Sequence, residues 1–312
     1  AASHTPRAPR APPRRPCVRA DRSRSPGAPP GAGALARCGA RIPQRPLSSQ
    51  REAAMALAHQ GHGTLEARLH PLCRKVENTP MEDWNERHDA VRTMREMVEH
   101  EPVDAFTAGV FRELKEPVKS MLLDLRSQCV REVCEFLKTL STASRDHMRA
   151  LCRDTGHTML AALAVPNKVM AGYVHDMLIH VLQHTRWRGA VELFVRELKS
   201  TKSKQVREFL SEYILFVVQW EGVRFNEQDM EMLRQAIQLG IESATSKTRE
   251  TSRAAYHAFH QRFGRTQASH IKNSLRQGTR ELLEKEESQY VVPRAPSSAE
   301  LRTEPSVDDT PS

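Results

Sequence analysis

The chain has 312 residues, of which 39% are hydrophobic, 27% charged and only 5% aromatic, and its formal net charge is +9. That apolar content allows a large core, while the shortage of aromatics argues against a β-sandwich and suits helices packed through Leu, Met and Val stripes. The charge is confined to one end: residues 1–51 hold eleven Arg, no Lys and one acid, Asp21, whereas the remainder carries 36 bases against 37 acids. A charge-based case for nucleic-acid binding by the folded part therefore fails.

Residues 1–58, with AASHTPRAPRAPPRRP and RSRSPGAPPGAGA, almost lack large apolar side chains and cannot bury enough surface to offset their ordering entropy. They are expected to form a disordered Arg/Pro-rich tail, and any nucleic-acid binding would have to come from it. Its Arg-rich, acid-poor composition is similar to that of an organellar transit peptide; a linker, or a stretch translated upstream of Met55, is the other reading. The absence of an opening Met points to a fragment. Six cysteines, Cys17, Cys38, Cys73, Cys129, Cys134 and Cys152, form no CxxC pair and are expected to be reduced and mostly buried in a cytosolic protein. The longest apolar run, Tyr213 to Val218, is far short of the ~18 residues of a membrane span.

Helical periodicity fills residues 63–288, and no β-type alternation interrupts it. Second helices of successive pairs are read from Val91, Met94 and Val98; from Val130, Val133, Leu137 and Leu140; from Met170, Val174, Met177 and Val181; from Val206, Leu210, Tyr213 and Val217; and from Tyr256, Phe259 and Phe263. First helices are read around Leu114, Leu151, Phe194 and Leu233. Val91-Arg92, Val130-Arg131, Val169 and Val206-Arg207 recur at intervals of 39, 39 and 37 residues. An interval near forty is that of HEAT-type repeats, in which neither helix of a pair buries its stripe alone. The expected fold is thus an all-α HEAT-repeat solenoid over 59–288, with a disordered tail over 289–312. In each unit the Val is expected to pack inward and the Arg beside it to reach a carboxylate on the next repeat. Thr79-Pro80-Met81-Glu82 has capping-box spacing, Val165-Pro166-Asn167 breaks the chain, and Ser203 is a candidate N-cap. Residues 269–287 begin a sixth unit or form a polar cap.

Regular stacking would line up the turns inside the pairs along one edge. Trp84, Arg87, Arg126, Lys168, Lys204, Lys247, Arg249 and Arg253 fall in those turns or just after them. Trp84 reads either as an interface anchor or as a core residue tucked under the first helix. Taken singly, each cation reads as a solvated surface charge. Cations at helix N-termini oppose the dipole at ~0.3–1 kcal/mol each, so their repetition favours a functional edge facing an acidic partner.

Three segments resemble the TOG domain, the tubulin-binding HEAT array of the cytoplasmic linker-associated protein (CLASP) group, over about residues 63–265. Asp83-Trp84-Asn85-Glu86-Arg87 followed by Ala90-Val91 is similar to the family's first turn. Asp124-Leu125-Arg126-Ser127 with Val130-Arg131-Glu132 is similar to the second, and Ser246 to Arg253, leading into Tyr256 and Phe259, to the fifth. The third and fourth turns keep Lys168 and Lys204 and little else that is diagnostic. The resemblance implies binding of αβ-tubulin or microtubules through Trp84, Arg87, Arg126, Ser127, Lys168, Lys204, Lys247, Arg249 and Arg253, regulation of microtubule dynamics, and a cytoplasmic, cytoskeletal location. It implies no enzyme activity, cofactor, metal, small-molecule substrate or membrane contact, and the residues themselves carry no HExxH, GxSxG or Walker-type loop. His175-Asp176 and His257 to His260 read as surface or satisfied core groups. A generic HEAT scaffold for another protein needs neither Trp84 nor a basic edge and is the alternative reading.

Overall fold

A computed structural model describes residues 63–287, and every regular element among them is a helix. The α-helices, in chain order, are α1 (Leu65–Asn78), α2 (Trp84–Val98), α3 (Ala108–Leu122), α4 (Ser127–Ser144), α5 (Arg149–Leu163), α6 (Lys168–Thr185), α7 (Ala190–Ser200), α8 (Lys204–Val218), α9 (Glu227–Ile241), α10 (Ser246–Ser274) and α11 (Gln277–Glu287). The tails expected over 1–58 and 289–312, together with Cys17 and Cys38, lie outside the described residues.

Local chemistry sets the helix limits. Ser203 caps α8 as expected, its side chain accepting from the Val206 amide, and the expected break at 165–167 ends in a cap that was not foreseen, the Asn167 side chain accepting from the Val169 and Met170 amides. The capping box expected at Thr79 does not form. Thr79 instead closes α1, and a 3-10 turn over Met81–Asp83 delays α2 until Trp84. A complete capping box occurs elsewhere, between Asn226 and Asp229 at the start of α9. Gly264, at φ 85° and ψ 167°, breaks α10 in a conformation that only glycine adopts cheaply.

From α1 to α10 each odd helix pairs with the even helix after it, odd helices stack on odd and even on even, so five pairs build a two-layer HEAT-type solenoid, and α11 packs on α10. Its core runs unbroken between the layers, from Leu65 and Leu69 through Leu137, Met177 and Tyr213 to Phe259 and Ile271. Packing is thinnest between the third and fourth pairs, where α5 meets α7 and α6 meets α8. The repeated Val faces inward at Val91, Val130 and Val206. Val169 departs from this reading and is exposed, because Asn167 sets the phase of α6 so that Met170 takes the inward place. The Arg beside each Val does not reach a carboxylate on the next repeat: Arg92 faces Glu96 of its own helix, Arg131 lies over the Tyr173 ring, and Arg207 turns to a backbone carbonyl. The described cysteines are free and buried, and burial pushes the thiols of Cys129, Cys73 and Cys152 up to about 11, 12 and 12. Those three thiols stay protonated and unreactive at neutral pH.

Candidate functional site: the edge of intra-pair turns

Five turns, at residues 79–83, 123–126, 164–167, 201–203 and 242–245, join the two helices of each pair. The first two are bonded to each other. Arg126 donates from Nη1 to the Met81 carbonyl at 2.6 Å, and Arg87 donates to Asp124 at 2.7 Å. The fifth turn walls one cavity together with Leu198 and Lys199 of α7 and Arg207 of α8.

The second turn explains its own sequence. Asp124 points inward, where one carboxylate oxygen accepts from Arg87 and the other from the Arg126 amide two residues on, an Asx-turn geometry. With Asp124 anchored, Leu125 is thrown outward and is 86% exposed. Arg126 is the N-cap residue of α4 and Ser127 its first residue; both are partly buried.

Arg87 does not face a partner as expected. Its side chain is buried, giving one bond to Asp124, one to Ser120 Oγ at 2.5 Å and one to the Val76 carbonyl at 3.3 Å. It locks the first unit to the second, and no surface is left for a ligand. Trp84 lies between its two readings: it is half-buried, packs on the core, and meets the His88 ring edge-on at 6.4 Å.

Lys168 and Lys204 are exposed at the starts of α6 and α8. Lys247 is exposed too, but pairs with Glu212 at 2.8 Å, and that bond holds its ammonium pKa above the usual value. Glu212 also faces His175, whose ring bonds the Tyr213 hydroxyl at 3.0 Å, so this histidine is a satisfied structural group. Arg249 donates to the carbonyls of Ser243 and Ala244. Arg253 is engaged by Glu286 of α11, its Nε–H shared between the two carboxylate oxygens at 3.0 and 3.2 Å. Beside it, His257 is buried against the same carboxylate.

Apolar exposure along the edge was missing from the sequence reading. Met81, Leu123, Leu125 and Val169 all lie at the first three turns and are among the few large apolar side chains left open to solvent. The fourth turn is basic, with Lys202 and Lys204 exposed. The edge therefore divides into an apolar half over turns 1–3 and a cationic half from Lys168 onward. An outward Leu next to an inward Asp in a short turn is the signal that could have found the first half.

The arrangement defines a class, a HEAT-type solenoid presenting a two-part docking edge. The family model described as CLASP N terminal matches residues 67–284, and the chain belongs to that family. Among its relatives, the CLIP-associating protein of Drosophila melanogaster is 26% identical over 184 residues, covering 58% of this chain and 12% of the relative. CLIP-associating protein 1-A of Xenopus laevis is 28% identical over 220 residues, covering 68% and 14%. The chain thus spans a small part of the length of the relatives it matches. The fold is similar to that of TOG domains. A structure described as the basis of tubulin recruitment and assembly by microtubule polymerases with TOG domain arrays aligns over 78% of this chain and 52% of its own, with TM-score 0.60 and 12% identity. Mini spindles TOG3 of Drosophila melanogaster aligns over 72% and 96%, with TM-score 0.54 and 12% identity.

Proposed function

We propose that residues 59–288 form a TOG-like module that binds αβ-tubulin along the turn edge and thereby acts on microtubule dynamics at the cytoskeleton. The observation that carries this reading is the edge itself: a half-buried indole and four exposed apolar side chains in one half, exposed lysines in the other. Trp84, Met81, Leu125 and Val169 meet an apolar patch of the partner, while Lys168, Lys202, Lys204 and Lys247 face its acidic surface. Arg126, Ser127 and Arg249 shape the turns that hold these groups. Membership of the CLASP N-terminal family supports the assignment.

A desolvated indole is worth ~2 kcal/mol or more at an interface, whereas an exposed charge pair contributes ~0.2–1 kcal/mol. The apolar half therefore sets the lifetime of the complex, and the basic half speeds encounter and fixes orientation. The full chain is expected to co-elute with purified αβ-tubulin from a sizing column. Trp84→Ala and Leu125→Asp are each expected to weaken that binding at least about tenfold with the helical content unchanged. Retention of full affinity by both variants would move the site off this edge.

A further inference from the structure

The third and fourth pairs meet through an indole. Trp187, in the turn between α6 and α7, lies across α5 at Gly156, where a Cβ would stand 2.5 Å from the ring and 2.8 Å from Leu193. Over this contact opens a cavity of about 220 Å³, toward the end of the helices opposite the docking edge. Arg153 and His157 of α5 form one wall, and Glu192, Leu193 and Arg196 of α7 the other. Trp187 and Gly189 make the floor. Small-molecule sites typically fill about 300–1,000 Å³, so this space suits a single side chain better than a cofactor.

Trp187 is only 6% exposed, and its indole N–H makes no hydrogen bond among the described residues. The N–H of Trp220 is unpartnered too, but that one is sealed, whereas the Trp187 nitrogen stays open to the cavity. Gly189 keeps it open. A Cβ there would stand 2.8 Å from Nε1, and no backbone need explains the glycine, whose φ of −58° and ψ of −14° suit any residue. A buried donor without a partner is an expensive state, which an entering acceptor relieves. Guanidinium groups stand on both rims, Arg153 from the third pair and Arg196 from the fourth, so an anionic acceptor is favoured. Arg196 pairs with Glu192 at 2.8 Å and Arg153 with Asp154 at 3.4 Å, and both pairs are exposed and weak. Charge alone would therefore define no site here; the indole N–H aimed into the cavity does.

We propose that this cavity seats one glutamate side chain from an acidic segment of a partner protein, its carboxylate accepting from Trp187 Nε1 and facing Arg153 and Arg196, its methylenes lying on Leu193. The seat is a second site, independent of what binds the docking edge. Because its walls belong to different pairs, an occupied seat also ties together the thin junction between them. In the isotope-labelled full chain, each of the three tryptophans gives one indole N–H resonance. A capped triglutamate peptide is expected to move the Trp187 signal saturably and leave that of the sealed Trp220 in place, with capped triglutamine at least about fivefold weaker. Gly189→Ala is expected to abolish the shift, and Arg196→Gln to weaken affinity about threefold. If Gly189→Ala melts earlier than the parent, Trp187→Phe carries the test, followed at the Leu193 methyl resonances. It keeps a ring, loses the N–H, and is expected to bind triglutamate at least about fivefold more weakly. No saturable Trp187 shift at millimolar triglutamate, an equal response to triglutamine, or parental affinity in Trp187→Phe overturns the seat. Saturating peptide is further expected to slow amide exchange in both α5 and α7. Slowing in one helix alone would refute the tie between the pairs.

Discussion

Arg87, Arg207 and Arg249 each stand fourth in an even-numbered helix, and each donates to carbonyls where the preceding odd helix ends. The negative pole of one helix and the start of the next lie in the same turn, so a cation there answers the first pole rather than offending the second. That accounts for part of the basic repetition without any partner. Arg87 goes further, because its ion pair with Asp124 is buried on both sides. Removing one member of such a pair strands the other, so Arg87→Met is expected to cost ~3–5 kcal/mol in urea unfolding. A loss below about 1 kcal/mol would mean that Asp124 finds another donor. A second residue reports through pH. His180 stacks on His184 at 4.1 Å, bonds Thr142 of α4, and faces Lys138 and Glu135 there; burial, with help from His184, lowers its pKa to about 4. The folded state therefore holds this ring neutral, and the unfolded chain takes up the proton first as pH falls. Stability is expected to be complete above pH 6.5 and to drop between 6.5 and 4 as the unfolded chain takes up this proton. His180→Gln should flatten that part of a melting-temperature profile, and an unchanged slope would assign the loss elsewhere.

Among the elements, α11 is the most weakly founded. Leu283 is its one buried side chain, and its other attachments are polar: ion pairs of Glu286 with Arg253 and of Glu284 with Lys272, and hydrogen bonds of Glu286 with His257 and of Glu287 with the Tyr256 hydroxyl. Glu286→Ala is expected to raise amide exchange across 277–287 at least about tenfold while α8 stays protected. Equal protection in both proteins would show that Leu283 alone holds the helix. The inward stripes of α2, α4 and α8 were legible because a 3.6-residue period writes the buried face directly into the sequence. At α6 two neighbouring apolar residues, Val169 and Met170, fit the same stripe, and only the cap at Asn167 decides between them. The burial of Arg87 could not be read locally, since its partner lies 37 residues downstream in another unit. Leu125 escaped for the opposite reason: periodicity describes helices and says nothing about which turn residue is expelled when its neighbour is pinned.

For the whole molecule, nearest-neighbour stacking makes stability a sum of local interfaces, and the poorest of them yields first. The thin junction between the third and fourth pairs divides the described residues into a leading and a trailing block. Native-state exchange in dilute denaturant is expected to show two cooperative blocks, residues 65–185 and 190–274, with the boundary in the turn after Thr185. One common opening energy for both blocks would contradict this. The guanidinium clamps have a thermodynamic corollary for any guest on the edge. Turns already braced against helix ends have little residual freedom to surrender, so complex formation should resemble the meeting of two rigid surfaces. Calorimetry would then record a heat-capacity change that follows the apolar area covered, without the large extra term that accompanies loops freezing into place.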